Sequence, residues 1–185
     1  MEILGIFSAF GLSASAGLNA YIPLLVIALL ARFTNLIQLK QPWDTLESWW
    51  IIGLLLVLSI IEFFADKVPA VNHINDAIQT FVRPAAGAIA FAASANILTE
   101  VSPVLSLASG LLVAGGIHAV KSAAVRPAIT ATTGGAANIP VSILEDILST
   151  MVSVLSVIVP VLMVLLVVIL IAWWISSRQQ RKAST

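Results

Sequence analysis

The sequence contains no cysteine, which excludes disulfides, thiolate metal sites and thiol chemistry and leaves the redox compartment open. Charge is almost as scarce: 10% of the 185 residues are Asp, Glu, Lys or Arg, where a soluble domain carries roughly 25%. Nine basic and nine acidic residues cancel, so no net charge points to nucleic acid or to a polybasic lipid anchor. Catalytic signatures are missing as well: there is no H-E-x-x-H, no G-x-S-x-G elbow, no Walker loop and no dinucleotide fingerprint. The expectation from these absences is a protein that is not an enzyme, uses no cofactor, binds no nucleic acid and does not couple to ATP.

What the chain does have is apolar sequence. With 59% apolar residues and a mean hydropathy of +1.05, it reads as an all-α integral membrane protein. Ala14-Ser15-Ala16 has the form of a signal-peptide cleavage site, but Glu2 stands where a basic n-region belongs, so no cleavage is expected. The organisation reads as a single transmembrane domain, 1–177, followed by a short basic tail, 178–185.

Met1 to Ala31 is apolar but too long for one straight span, at about 45 Å against a hydrocarbon core of about 30 Å. A tilt or break is expected in GLSASAGLNAYIP, Gly11 to Pro23, where Asn19 brings an amide and Pro23 removes a helix donor. The small residues there, spaced four apart, also suit close helix packing. Asp44 and Glu47 have capping-box spacing just before Trp49-Trp50, predicting a second span from that interface through Glu62 to Lys67, ending before Pro69. A loop holding His73 and Asp76 follows. A third span is expected from about Ile78 to Leu98, interrupted early at Arg83-Pro84, and a fourth from Val104 to Ala124, with Gly115, Ala119 and Ala123 on one small face. Arg126 to Pro140 reads as an ordinary loop or as a re-entrant segment lining a cavity. Val141 to Ile175 reads as one long helix kinked at Pro160 and closed at an interface by Trp173-Trp174. About five spans with broken or kinked segments result.

Basic residues in the tail (Arg178, Arg181, Lys182) place the C-terminus in the cytoplasm. On that count all five tryptophans fall on the cytoplasmic side and most remaining charges on the other. Gly11 to Ala20 aligns with Gly110 to Ala119, placing Asn19 on His118. Spans three apart run oppositely, so an inverted repeat is one reading; chance similarity between Ala/Gly/Leu-rich spans is the other.

The candidate site is a charged cluster at the non-cytoplasmic face: Glu62, Asp66, His73, Asp76, Arg83, His118, Lys121, Arg126, Glu145 and Asp146, together with Asn19. Charge beside lipid requires a reason. Glu62 and Asp66 share a helix face at i,i+4, and His73 and Asp76 would do so at i,i+3. Such groups suit a divalent cation or a proton relay. The plainer readings are an ion-paired helix end for Asp66, Lys67 and Asp76, and a capping box, Ser142 with Glu145, at the start of the last helix. Arg83 and Arg126 each precede proline, where a guanidinium can anchor a broken helix or bind an anion.

Three stretches, GLNAYIPLL, EFFADKVPAVNHINDAIQTFVRPAAGA and SILEDILS, together resemble the bacterial membrane proteins grouped as domain of unknown function 4126. The resemblance runs in order along most of the chain. It implies a small multi-pass protein of the bacterial inner membrane and supplies no activity. KSAAVRP, Lys121 to Pro127, is similar to the Lys and Arg-Pro of membrane lipid phosphatases, but the spacing is too short and no Ser-Gly-His motif accompanies it. The leading expectation is therefore a transporter or channel for a small ion or solute, its charges lining a vestibule in a chain small enough to work as a homodimer. A non-transport assembly or envelope-stability protein with structural charges is the alternative, and a lipid-headgroup enzyme a weaker one.

Overall fold

The computed structural model describes residues 2–67, 69–95, 102–159 and 170. Every regular element among them is helical. In order they are α1 (Glu2–Leu18), α2 (Ile22–Phe33), a 3-10 turn (Trp43–Glu47), α3 (Trp49–Ala65), α4 (Pro69–Ala95), α5 (Pro103–Val120), a π-helical turn (Lys121–Val125), α6 (Arg126–Thr133) and α7 (Asn138–Ile158).

The first apolar stretch does break, between Leu18 and Ile22, with Pro23 in the first turn of α2. Other boundaries differ from the sequence expectation for local physical reasons. Ser48 rather than Asp44 caps α3: its backbone is extended and its hydroxyl accepts the Ile51 N–H at 3.4 Å, while Asp44 lies within the 3-10 turn. The loop expected around His73 and Asp76 is helical, because α4 starts at Pro69 and continues through Pro84. Proline at a helix start loses no hydrogen bond, and the later Pro84 lies inside the helix without ending it. Residues 126–133 are likewise a helix rather than a loop, ended by Gly134 and Gly135 at φ of 61° and 88°, left-handed values that favour glycine.

The π turn has an identifiable cause. Pro127 lacks an N–H and its ring crowds the carbonyl four residues back. The helix widens there, with the Arg126 N–H bonding to the Lys121 carbonyl. The long last helix is seen as far as Ile158; the kink at Pro160, Trp173, Trp174 and the basic tail lie outside the described residues.

Packing is centred on α1, which lies against α4, α5 and α7, while α4 and α5 form an extensive pair of their own. Backbones cross closely at glycine. A Cβ on Gly87 would collide with Ala114 and come within 2.9 Å of the Gly110 carbonyl, and one on Gly110 would collide with the Gly87 carbonyl. The close face of α5 is therefore Gly110 and Ala114; Ala119 and Ala123 are exposed, contrary to the expected small face. Where α1 meets α7, Ser142, Asp146, Ser149, Ser153 and Ser156 are all buried, at alternating steps of four and three along one helix face. Ser15 Oγ sits 2.8 Å from Ser149 Oγ and 2.7 Å from Ser153 Oγ.

The interior combines an apolar cluster, which includes Leu12, Ala16, Ile27 and Ile52, with many polar side chains. The outer surface carries Trp50, Leu54, Val57, Ile61, Phe64, Leu112, Leu144, Ile147 and Met151. Contiguous exposed apolar surface of this extent suits lipid rather than water. Pro103–Thr133 and Asn138–Ile158 are long and apolar enough to cross a membrane, and Gly5–Leu18, Ile22–Phe33 and Trp49–Ala65 are shorter apolar helices.

The glycine crossing yields a paired prediction. Gly87→Val forces α4 from α5 and lowers stability by about 1–3 kcal/mol, read as a lower midpoint of thermal unfolding in detergent. Gly116→Val, where a Cβ meets nothing within 4 Å, leaves the midpoint unchanged. Equal midpoints for the two variants would show that the crossing tolerates side chains.

Candidate functional site

The site begins with the broken helix. A helix end leaves carbonyls or amides without partners, and hydrocarbon offers no water to satisfy them. At the joint, Lys121 Nζ donates to the Leu18 carbonyl at 3.1 Å, and the Ala20 N–H donates to Glu62 Oε2 at 3.0 Å. The Asn19 side-chain oxygen accepts from the N–H groups of Tyr21 and Ile22 at 3.2 and 3.1 Å. An ammonium thus meets the negative end of α1 and a carboxylate the positive end of α2, the signs the helix dipoles favour.

Each of these groups is held in turn by an opposite charge. Arg83 is fully buried. Its Nε and Nη2 donate to Glu62 Oε1 at 3.2 and 2.9 Å, and Nη2 also reaches Asp66 Oδ2 at 3.4 Å. Its Nη1 lies 3.2 Å from His118 Nδ1. A guanidinium only donates, so Nδ1 accepts and the imidazole proton sits on Nε2. That nitrogen faces Thr80 Oγ1 at 3.3 Å, whose own hydrogen goes to the Asp76 carbonyl at 2.8 Å. His118 is therefore read as the neutral Nε2–H form.

Asp66 is the branching point. Asn75 Nδ2 donates to its Oδ1 at 2.7 Å, while its Oδ2 faces Arg126 at 3.2 Å, Arg83 at 3.4 Å and Lys121 at 3.8 Å. Glu145 Oε2 takes Lys121 at 2.7 Å and Arg126 at 3.4 Å, and Arg126 extends to Asp76 at 3.5 Å. On the opposite side, Asp146 accepts from Asn19 Nδ2 and from Lys67 Nζ, each at 3.0 Å. Four carboxylates (Glu62, Asp66, Asp76 and Glu145) and three cations (Arg83, Lys121 and Arg126) are linked in this way, and Lys67 with Asp146 forms a separate pair beside them.

The structure thus brings Glu62, Asp66, Asp76, Arg83, His118, Lys121, Arg126 and Glu145 into one network, with Asn19 and Asp146 bonded to each other at the same joint; the side chain of His73 lies outside what is described. Two expectations are corrected. Glu145 is not a helix cap: α7 begins at Asn138, so Ser142 and Glu145 lie inside it, and the carboxylate turns to Lys121 and Arg126. The cluster is also not an open vestibule, since the Glu62 and Arg83 side chains are 0% exposed and the charges face one another. Among the described residues no group of three or more His, Asp or Glu is arranged to hold a metal ion.

Sequence reasoning missed several members. Lys67 is not among the expected site residues, yet it binds Asp146 across the bundle. Asn75 carries no local signal. Thr80 stands four residues after Asp76, a spacing that could have flagged it. Among the described residues some buried oxygens have no hydrogen-bond partner, including Asp76 Oδ1, Gln79 Oε1, Ser59 Oγ and Ser142 Oγ.

Removing one member of a buried pair strands the other. Arg83→Gln is expected to lower stability by about 3–5 kcal/mol. The double variant Glu62→Gln with Arg83→Gln loses less than Arg83→Gln alone, because it leaves no buried carboxylate without its counter-charge. Thermal unfolding of the purified variants in detergent measures this; simple additivity would mean that the two side chains are not energetically coupled.

The comparisons with known proteins agree with this architecture without adding chemistry. No curated protein and no solved structure matches the chain. The model of one family, described as a domain of unknown function (DUF4126), matches residues 6–180. Since that match covers nearly the whole chain, including the broken helix and every member of the charged network, the protein belongs to this membrane protein family of unknown function.

Proposed function

We propose that the protein moves a small ion or solute across the membrane, with the charged network at the joint of α1 and α2 as its site, and that it carries no catalysis of its own. The observation that carries this reading is the helix break itself: Leu18 and Ala20 offer their backbone groups to Lys121 and Glu62 inside a buried cluster. Discontinuous helices whose ends face charged groups are a recurring way of building substrate sites in transporters. The sharing of Asp66 Oδ2 among Arg126, Arg83 and Lys121 supports it further, because partners can then be exchanged without leaving a charge alone. The carboxylate in excess of the three cations gives a proton or small cation a place in the balance. The five-span arrangement, the inverted repeat, the cytoplasmic C-terminus and a homodimer belong to the same proposal.

A second reading has its own support. The closed Glu62–Arg83 pair, with neither side chain exposed, suits a protein of membrane assembly or envelope stability in which the charges only lock helices together.

Proteoliposomes tested by solid-supported-membrane current across a panel of ions and pH steps separate the two. On the transport reading, Glu62→Gln and Asp66→Asn each lower flux by about tenfold or more, equivalent to about 1.4 kcal/mol in barrier. Flux indifferent to both substitutions would remove these residues from the mechanism. No flux for any solute, with thermal stability falling in the same variants, would leave the structural lock.

A further inference from the structure

A cleft of about 310 Å³ lies between α2, α3 and α7, apart from the core of the network. Its volume falls at the lower end of the range for small-molecule sites, about 300–1,000 Å³. The walls are apolar: Ile22 from α2, and Ile60, Phe63 and Phe64 from α3. Ile60 and Phe64 are 49% and 61% exposed, so the mouth opens on the surface that faces lipid. Asn19, Ser59 and Asp146 complete its edge, with the Asp146 carboxylate covered by Lys67.

The chemistry beside this cleft is specific. Lys67 Nζ stands 3.0 Å from Asp146 Oδ2 and 3.2 Å from the centre of the Phe63 ring. A carboxylate and an aromatic face around one ammonium are the elements by which proteins recognise ammonium ligands. Here the ammonium is the protein's own, carried from the turn after α3 on a flexible four-carbon stem.

We propose that the cleft binds the ammonium group of an amphipathic molecule, with Lys67 as a tethered competitor for the same carboxylate and ring. The charge of Asp146 selects a cation and excludes an anion. The apolar walls take the hydrocarbon part. Exchange of one ammonium for another keeps Asp146 paired throughout, which avoids the cost of a lone buried carboxylate. The proposal stands independently of transport.

The test uses the purified full chain in a maltoside detergent, titrated calorimetrically with decyltrimethylammonium after subtraction of protein-free micelles. Saturable binding is expected for this probe and not for decyl glucoside, which has the same chain and no charge. Lys67→Gln removes the competitor and tightens binding by about tenfold. Ser59→Leu fills the cleft and abolishes binding while leaving the unfolding midpoint in place; Ile22→Phe, on the facing wall, serves the same purpose should Ser59→Leu not fold. Equal binding of decyl glucoside, no gain in Lys67→Gln, or full binding in a folded cleft-filled variant would overturn the proposal. Competition by phosphatidylethanolamine and not by phosphatidylglycerol identifies a membrane lipid as the source of the ammonium. Binding indifferent to both lipids identifies a free amphiphile.

Discussion

A helix interrupted inside hydrocarbon must find hydrogen-bond partners for the backbone groups it frees, and the rest of this structure depends on how α1 and α2 meet that demand. Water cannot serve there. Lys121 takes the last carbonyl of α1 and Glu62 the Ala20 amide, but each brings a charge that is itself costly to bury. Arg83 therefore closes on Glu62, and Glu145 on Lys121. Arg126 and Asp66 connect the two pairs. A single break in the first helix thus fixes the positions of α3, α4, the π turn and α7, because each contributes one of the required charges.

The same reasoning explains the polar side chains inside the bundle. Among lipid tails, burying leucine gains little over leaving it outside, so helices associate through close backbone approach and interhelical hydrogen bonds. The Gly87–Gly110 crossing supplies the first, and the contacts of Ser15 with Ser149 and Ser153 supply the second. The serine stripe on α7 also contains Asp146, which binds Asn19. The packing seam and the charged network are consequently two ends of one polar surface.

Much of this was legible in the sequence, and the unread parts share a cause. The break near Asn19 could be placed because glycine, serine, asparagine and proline crowd there and the run is too long for one span. The gathering of distant charges followed from counting spans, since Glu62, Arg83, Lys121 and Asp146 all fall toward one membrane face. Partner identity was not legible. Ser142-x-x-Glu145 satisfies a local capping pattern, and only tertiary contact reveals that Lys121 and Arg126 outcompete it. Local pattern misled again at Asp44, where Ser48 supplies the cap. The helical state of 69–77 was hidden because its polar residues read as loop, whereas Asn75 and Asp76 turn their side chains toward the network. The serine spacing on α7 was present in the sequence, but a polar stripe in an apolar run signals an interior only once lipid is taken as the solvent.

The geometry also bears on where such a bundle could open. Glu62 and Arg83 form the innermost pair, with two hydrogen bonds to one oxygen and no exposure; parting them would strand the Glu62 charge and leave Arg83 only one carboxylate, Asp66 at 3.4 Å. The contacts of α7 are different in kind. Glu145 is shared between Lys121 and Arg126, Asp146 between Lys67 and Asn19, and either serine of each Ser15 pair can be the donor. Each can change partner while remaining bonded, so displacement of α7 costs less than displacement of α3 from α4. On the transport reading, motion would therefore run along the seam between α7 and α1, with Glu62 and Arg83 as the fixed part about which partners are exchanged.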